Sequence, residues 1–329
     1  MIVLKEKIQV GLYGTNGHQI QRKLLSHPDA CLAAVAGMSP EFLAGLPGVA
    51  EGKVRVYDTL EEMLRDDGVE LVSLCSPTRE EQGTDAISCL RAGKHVYAEK
   101  PGALSEPELE AILAAAEENG REFHEMADTV FMEPYWTMRS LVRSGKLGKI
   151  VQVYIQKSYP LRPWVRPQDE TSDGGLIRWV GIHGIRFLEH VTGQRVKDVQ
   201  VFQTHLGNIN ENKGMYTASS WTMTLENGGV ASMCANYLNP RTFPTWGNEA
   251  VRVFGTEGMI EVTDGATRTH WYGLTEDHGA IDVSQSQCRD FFDLYMEHLR
   301  HGTPMPMSQE EELHPLRVVI RAFNGAKTT

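Results

Sequence analysis

The sequence predicts an α/β protein of two domains, with a parallel sheet in the first and hairpin-linked strands in the second. Three observations carry this. The chain has 329 residues, beyond the usual size of one domain. Its first part alternates short apolar runs with helical stretches, the pattern of βαβ units. Its second part carries apolar runs joined by short glycine turns. With 41% hydrophobic and 23% charged residues, both domains can bury a core. The net charge of −11, without any Lys/Arg run, argues against a nucleic-acid or anionic-membrane partner. No apolar run is long enough for a membrane span and Met1–Lys7 lacks signal-peptide features, so a cytoplasmic protein is expected. The cysteines Cys31, Cys75, Cys89, Cys234 and Cys288 are scattered without Cys-x-x-Cys spacing, which argues against a disulfide framework and a zinc site.

Taken in order, Lys7–Tyr13 reads as a buried parallel strand, and Gly14-Thr15-Asn16-Gly17-His18 as a glycine turn before a helical pattern in Ile20, Leu24 and Leu25. Such a strand, turn and helix bring backbone N–H groups and a helix N-terminus to a pyrophosphate. The fit to G-x-G-x-x-G is incomplete, since Asn16 and Gln19 stand at the second and third glycine positions, so the loop alone leaves a dinucleotide site and an ordinary βα turn both open. Asn16 is expected to tolerate positive φ in the turn. Strands follow at Cys31–Ala36, Val54–Tyr57, Leu71–Cys75 and His95–Ala98, with helices at Leu60–Leu64 and Thr84–Ala92. The second strand runs into Gly37-Met38-Ser39-Pro40, without the carboxylate that bonds a free ribose 2′-hydroxyl and without an arginine for a 2′-phosphate. Ser39 could donate to either, so NAD and NADP both stand. Ser105–Glu108 reads as a capping box opening a helix, Leu109–Asn119, that stops at Gly120.

The chemistry centres on Glu99-Lys100-Pro101, where the His95 strand must stop. Ligands of open parallel sheets bind outside the carboxyl ends of the strands, which puts Lys100 at the crevice mouth, held extended by Pro101. A solvated Glu-Lys pair is the bland alternative.

The glycine turn, the Ser76-Pro77 step, the Ala92–Val96 lead-in and Glu99-Lys100-Pro101 together resemble the Gfo/Idh/MocA oxidoreductases over essentially the whole chain. The resemblance implies a Rossmann dinucleotide-binding domain, 1–125, and a substrate-binding and oligomerisation α/β domain with an open, mostly antiparallel sheet, 126–329. It implies NAD or NADP as cofactor, held by Gly14, Thr15, Asn16, Gly17, His18, Ser39, Ser76, Pro77, Glu99 and Lys100. It makes Lys100 a contact of substrate and nicotinamide through a Lys-Pro peptide that is often cis. A homodimer or homotetramer through the C-terminal sheet is expected.

Leu141–Ile150 resembles the family's linker helix and turn, and Ile150–Tyr159 alternates loosely as a half-buried strand. Gly174–His183 resembles the second signature, a glycine pair before Asp-x-Gly-x-His on a helix, with His183 as its histidine. The aspartate position, one helical turn earlier, holds Trp179, and the position three after the histidine holds Arg186. An indole there removes a charge partner, so His183 is expected to stay neutral and to bond the substrate oxygen. Arg178 and Arg186 are either a surface or interdomain pair or contacts of an anionic substrate. Tyr159, Arg162, Trp164 and Arg166 are either substrate contacts or a basic surface loop. Further strands are expected at Val196–Leu206, Thr217–Leu225, Val230–Tyr237, Ala250–Phe254 and Met259–Val262, with Trp221, Met223 and Met233 as core or interface. The histidines lack a metal-ligand pattern. Helices Phe291–His301 and Pro315–Phe323, the latter with proline in its first turn, close the chain.

These readings converge on an NAD(P)-dependent dehydrogenase or reductase acting on a secondary alcohol or ketone of a sugar, cyclitol or derivative. Lys100 and His183 handle the proton. Part-burial beside a nicotinamide would disfavour the ammonium form of Lys100 and fit it to shuttle that proton. Two alternatives stand beside it: a glycoside lyase or hydrolase working by transient oxidation, and a non-catalytic cofactor-binding sensor or partner subunit.

Overall fold

The computed structural model describes residues 7–161, 170–208 and 214–329. They form two compact units, one of residues up to Met126 together with Phe291–Gln309, the other of Ala127–Asp290 together with Glu310–Thr329. The division drawn from sequence is continuous, whereas the first unit takes in this later stretch of chain. No helix among the described residues is long and apolar enough to cross a membrane.

In the first unit β1 (Ile8–Tyr13), β2 (Ala30–Ala36), β3 (Arg55–Tyr57), β4 (Leu71–Leu74), β5 (His95–Ala98) and β6 (Phe123–Glu125) form one sheet in the order β3-β2-β1-β4-β5-β6. Every neighbouring pair is parallel. Strands covered on both faces must be apolar throughout, and Leu71, Val72, Leu74, Val96 and Tyr97 are fully buried. The strand order reverses between β1 and β4, which fixes the ligand crevice at the carboxyl ends of those strands. Helices α1 (Pro40–Ala44), α2 (Leu60–Leu64), α3 (Arg79–Arg91) and α4 (Glu106–Glu118) connect them. α3 starts well before the expected Thr84, because Thr78 and Glu81 make a reciprocal capping box at its N-terminus.

The helix expected after the glycine turn is absent. Only a 3₁₀ turn, Lys23–Leu25, forms there, since Pro28 follows closely and disfavours helical backbone at His27.

The second unit is built on a nine-stranded sheet: β7 (Ile150–Ser158), β8 (Val196–Thr204), β9 (Ala218–Leu225), β10 (Val230–Asn236), β11 (Asn248–Gly255), β12 (Gly258–Thr263), β13 (Arg268–Gly273), β14 (Asp277–Gly279) and β15 (Lys327–Thr328). Their order is β14-β13-β12-β11-β7-β10-β9-β8-β15, and only the β7–β10 and β8–β15 pairs are parallel. The sequence did not reveal β13 to β15. Helices α5 (Tyr135–Arg143) and α6 (Glu170–Asp173) lead to a five-residue π turn, Leu176–Val180, and then to α7 (Gly181–Thr192). α7 lies close on the sheet because it presents glycines to it. A Cβ on Gly181 would fall 2.7 Å from the Trp221 ring, and one on Gly184 2.0 Å from Met233 Sδ. Trp221, Met223 and Met233 are accordingly core residues.

Two helices end the chain, α8 (Phe291–His301) in the first unit and α9 (Gln309–Asn324) in the second. α8 lays Phe292 and Tyr295 against Tyr97 of β5, with centroids 5.2 and 6.3 Å away, and Tyr295 against His124 of β6 at 4.3 Å. α9 begins before the expected Pro315, which lies inside it. A proline there strips the Glu311 carbonyl of its helical donor, and His190 Nε2 donates to that carbonyl instead, at 3.0 Å. Burial first, then the Arg186 charge, holds the His190 imidazole far below its ordinary value, so it serves as a neutral donor.

Candidate active-site residues

Lys100 follows the end of β5, only 2% exposed, and the Lys100-Pro101 peptide is cis. Gln82, buried on α3, clamps the backbone around it. Its amide donates to the Glu99 carbonyl and, at 2.9 Å, to the Pro101 carbonyl, while its own oxygen accepts from Arg79 at 2.8 Å. The Glu99 carboxylate is fully buried. It accepts from the Lys100 amide at 3.1 Å, from His18 Nδ1 at 2.8 Å and from the His18 amide, with Lys100 Nζ 3.8 Å away. Burial alone would raise its pKa, but the His18 hydrogen bond and the Lys100, His18 and Arg79 charges outweigh it and hold the carboxyl well below the usual range. Glu99 thus ties the glycine turn to the lysine.

The turn is tight for a reason visible in its neighbours. Gly14 has φ +65°, and a Cβ there would lie 2.1 Å from the Cys75 carbonyl; Gly17 has φ +142°, and a Cβ would lie 2.5 Å from the Glu99 carboxylate. The positive φ that Asn16 could tolerate is not called on, since the two glycines supply the bend. Its side chain donates to the Pro77 carbonyl at 2.9 Å. Gln19, at the third glycine position, donates to the carbonyls of Tyr13, Gly14 and Ser73 at 3.0 to 3.1 Å, which fills the space that close packing of a helix would need empty. The amides of Gly14, Asn16, Gly17 and His18 all donate within the protein, to Ala36, Cys75, Thr15 and Glu99. The expected backbone and helix-dipole cradle for phosphate is therefore largely spent internally, while Thr15 and His18 themselves are exposed. Ser39 caps α1, accepting from the Phe42 amide at 3.2 Å, and Ser76 is buried, donating to Asp85 at 2.7 Å.

In the second unit His183 stands in the first turn of α7, and its Nδ1 meets Thr129 Oγ1 at 2.8 Å. Tyr159, just past β7, is the hub of an aromatic group, with ring centroids 6.3 Å from Trp179, 6.4 Å from His183 and 6.2 Å from Trp246. Trp179 is 6% exposed and belongs to an apolar cluster with Leu176, Val180, Ala235 and Tyr237. It lies in the π turn ahead of α7 and is a core side chain. Arg178 and Arg186 are buried, which corrects the surface-pair expectation. Arg178 donates to the Gly174 carbonyl at 2.9 Å, pairs with Glu170 at 3.3 Å and lies 3.7 Å above the Phe323 ring centroid. It holds the glycine pair in place. Arg162, Trp164 and Arg166 lie outside the described residues.

Sequence reasoning missed a buried cation beside this group. Lys157 is 7% exposed, bonds Glu249 directly across the β7–β11 pair and sits 4.6 Å from the Tyr159 ring centroid. Burial works to lower its pKa, but Tyr159 and Glu249 outweigh this and raise it, so the ammonium persists. The signal was present, since Lys157 continues the inward phase of Val153 and Ile155. Thr129 had no comparable signal.

The 3-2-1-4-5-6 parallel sheet and the glycine turn at its switch point define the first unit as a dinucleotide-binding fold. Comparison with known proteins makes this particular. Residues 8–126 match the family model described as oxidoreductase family, NAD-binding Rossmann fold, and residues 135–261 match the GFO/IDH/MocA C-terminal domain. The chain belongs to the GFO/IDH/MocA family of oxidoreductases. Trans-1,2-dihydrobenzene-1,2-diol dehydrogenase of Bos taurus is 29% identical over 139 residues, covering 42% of this chain and 41% of that protein. The match thus spans about four tenths of that relative's length. The scyllo-inositol 2-dehydrogenase (NADP(+)) IolW of Bacillus subtilis is 23% identical over 298 residues, covering 83% of this chain and 81% of that one. Among solved structures, the WlbA dehydrogenase of Bordetella pertussis, in complex with NADH and UDP-GlcNAcA, shares the fold with a TM-score of 0.81 at 17% identity, covering 98% of this chain and 96% of that chain.

Proposed function

We propose that this protein is an NAD(P)-dependent dehydrogenase or reductase acting on a secondary alcohol or ketone of a sugar, cyclitol or related polyol. The observation that carries the reading is Lys100, buried at the carboxyl end of β5 in a turn whose backbone is clamped by Gln82 and whose charge is faced by Glu99. The residues fit a dinucleotide: two glycines that tolerate no side chain bend the chain at the switch point, and Thr15, His18 and Ser39 are assigned to the phosphates and the adenosine ribose. The bound nicotinamide supplies or accepts hydride. The protein's own task is then to orient the carbinol and move one proton. We assign that proton to Lys100, and assign to His183 Nε2 a hydrogen bond to the reacting oxygen, with Thr129 fixing the ring through Nδ1. Tyr159, backed by Lys157, is assigned to a substrate hydroxyl. Because Arg178 is engaged by Glu170 and Gly174, the reading does not require an anionic substrate.

The test is reduced-nicotinamide absorbance with a panel of polyols, keto-sugars and sugar acids, using wild type and Lys100→Met. Turnover of at least one of these is expected, reduced by about 10² or more in the variant while cofactor affinity stays within roughly threefold. Normal turnover by Lys100→Met would overturn the assignment. Intact cofactor binding without hydride transfer to any of the panel would favour a non-catalytic, cofactor-binding role.

A further inference from the structure

The end of β2 lacks the carboxylate that usually bonds the adenosine 2′-hydroxyl, and a tyrosine from the end of the neighbouring strand lies beside it. Tyr13, the last residue of β1, pairs in register with Ala36 of β2. Its ring lies over Gly37, where a Cβ would fall 2.8 Å from Tyr13 Cε2 and 3.6 Å from Cζ. Gly37 has φ +63°, so glycine suits that position both in backbone and in space. The phenol is half-buried at the carboxyl ends of β1 and β2, beside the point where the strand order reverses.

The charges facing it are acidic. Asp85 and Glu81 on α3 and Glu61 on α2 all act on the phenol, and with burial as the larger cause they push its pKa up to about 12. Asp85 is itself held by Ser76 Oγ at 2.7 Å, which fixes a carboxyl group on the β4 side of the crevice. A neutral phenol both donates to and accepts from a hydroxyl. A 2′-phosphate would instead bring about two negative charges toward these carboxylates, and the Gly37–Pro40 turn offers no guanidinium to receive it.

The geometry points to Tyr13 as the contact for the adenosine ribose, in place of the usual carboxylate, and to NAD, with its free 2′-hydroxyl, as the preferred cofactor. This rests on the nicotinamide-cofactor reading above and narrows it. The experiment is calorimetric titration of the full chain with NAD⁺ and NADP⁺, for wild type, Tyr13→Phe and Glu81→Gln. The last change keeps a residue able to close the α3 capping box. NAD⁺ should bind wild type about 10 to 10³ times more tightly than NADP⁺. Tyr13→Phe should weaken NAD⁺ by roughly 3- to 10-fold, the worth of one hydrogen bond to a ribose hydroxyl, and leave NADP⁺ within about twofold. Glu81→Gln should tighten NADP⁺ several-fold and leave NAD⁺ unchanged. NADP⁺ binding as tightly as NAD⁺ to wild type, or Tyr13→Phe affecting both cofactors equally, overturns the inference while leaving the nicotinamide reading in place. Failure of folded wild type to bind either cofactor overturns that reading and this inference with it.

Discussion

Replacing Glu99 by glutamine keeps the shape of the side chain and removes its charge, at a point that joins the glycine turn to Lys100. The wild-type carboxylate is fully buried and accepts from the His18 amide, His18 Nδ1 and the Lys100 amide, with Lys100 Nζ 3.8 Å away. An amide offers one acceptor oxygen and turns an NH₂ donor toward donors. Hydrogen bonds to a charged group are worth about 1.5 to 3 kcal/mol each, and leaving a buried charge without its partner costs about 3 to 5 kcal/mol. Glu99→Gln should therefore lose about 3 to 5 kcal/mol of stability at pH 7, read from urea unfolding of both proteins. The pH dependence follows from the depressed carboxyl. Its folded value lies below the unfolded value of about 4.3, so its contribution is complete above that pH and is lost as pH falls toward the folded value. Because glutamine does not titrate, the gap between the two proteins should be flat from about pH 6 to 8 and shrink below about pH 4. A gap under about 1 kcal/mol at pH 7, or one that persists unchanged at pH 3, would refute the reasoning.

Lys157→Met should destabilise the second unit by about 3 to 5 kcal/mol by stranding Glu249, whose side chain is only 13% exposed, and Lys157→Met with Glu249→Leu should recover most of it in a double-mutant cycle by urea unfolding. Trp179→Asp should cost about 3 to 5 kcal/mol, because it removes a core indole and sets a carboxyl group among Leu176, Val180, Ala235 and Tyr237; Trp179→Phe, measured alongside by thermal unfolding, should retain most of the stability.

The Rossmann sheet and the lysine were legible because their signals are local. Glu99-Lys100-Pro101 marks the end of a strand in three residues, and four of the first five strands announce themselves as apolar runs between turn residues. The second unit was legible where two strands share a tight turn, as at Asn227-Gly228, where the Gly229 amide donates to Asn227 Oδ1 at 2.9 Å. What failed depended on side-chain partners that no hydrophobic pattern or turn residue announces. Nothing near Gln19 says that its side chain will reach the Ser73 carbonyl, 54 residues on, as well as those of Tyr13 and Gly14. The π turn ahead of His183 is set by Arg178 gripping Gly174 and Glu170, and the face that Trp179 turns inward follows from it. Pro315 looked like a helix start because the donor that excuses it, His190, lies far earlier in the sequence.

The return of α8 to the first unit bears on how the protein is made. About 160 residues separate Met126 from Phe291, and at 5 to 20 residues per second their synthesis takes about 10 to 30 s. Throughout that interval the residues of all six strands of the parallel sheet have been made, but Tyr97 and His124 still lack the rings of Phe292 and Tyr295. The nascent N-terminal sheet is thus an incomplete body for most of translation, and a gene fragment ending at Met126 encodes a sheet that lacks part of its cover.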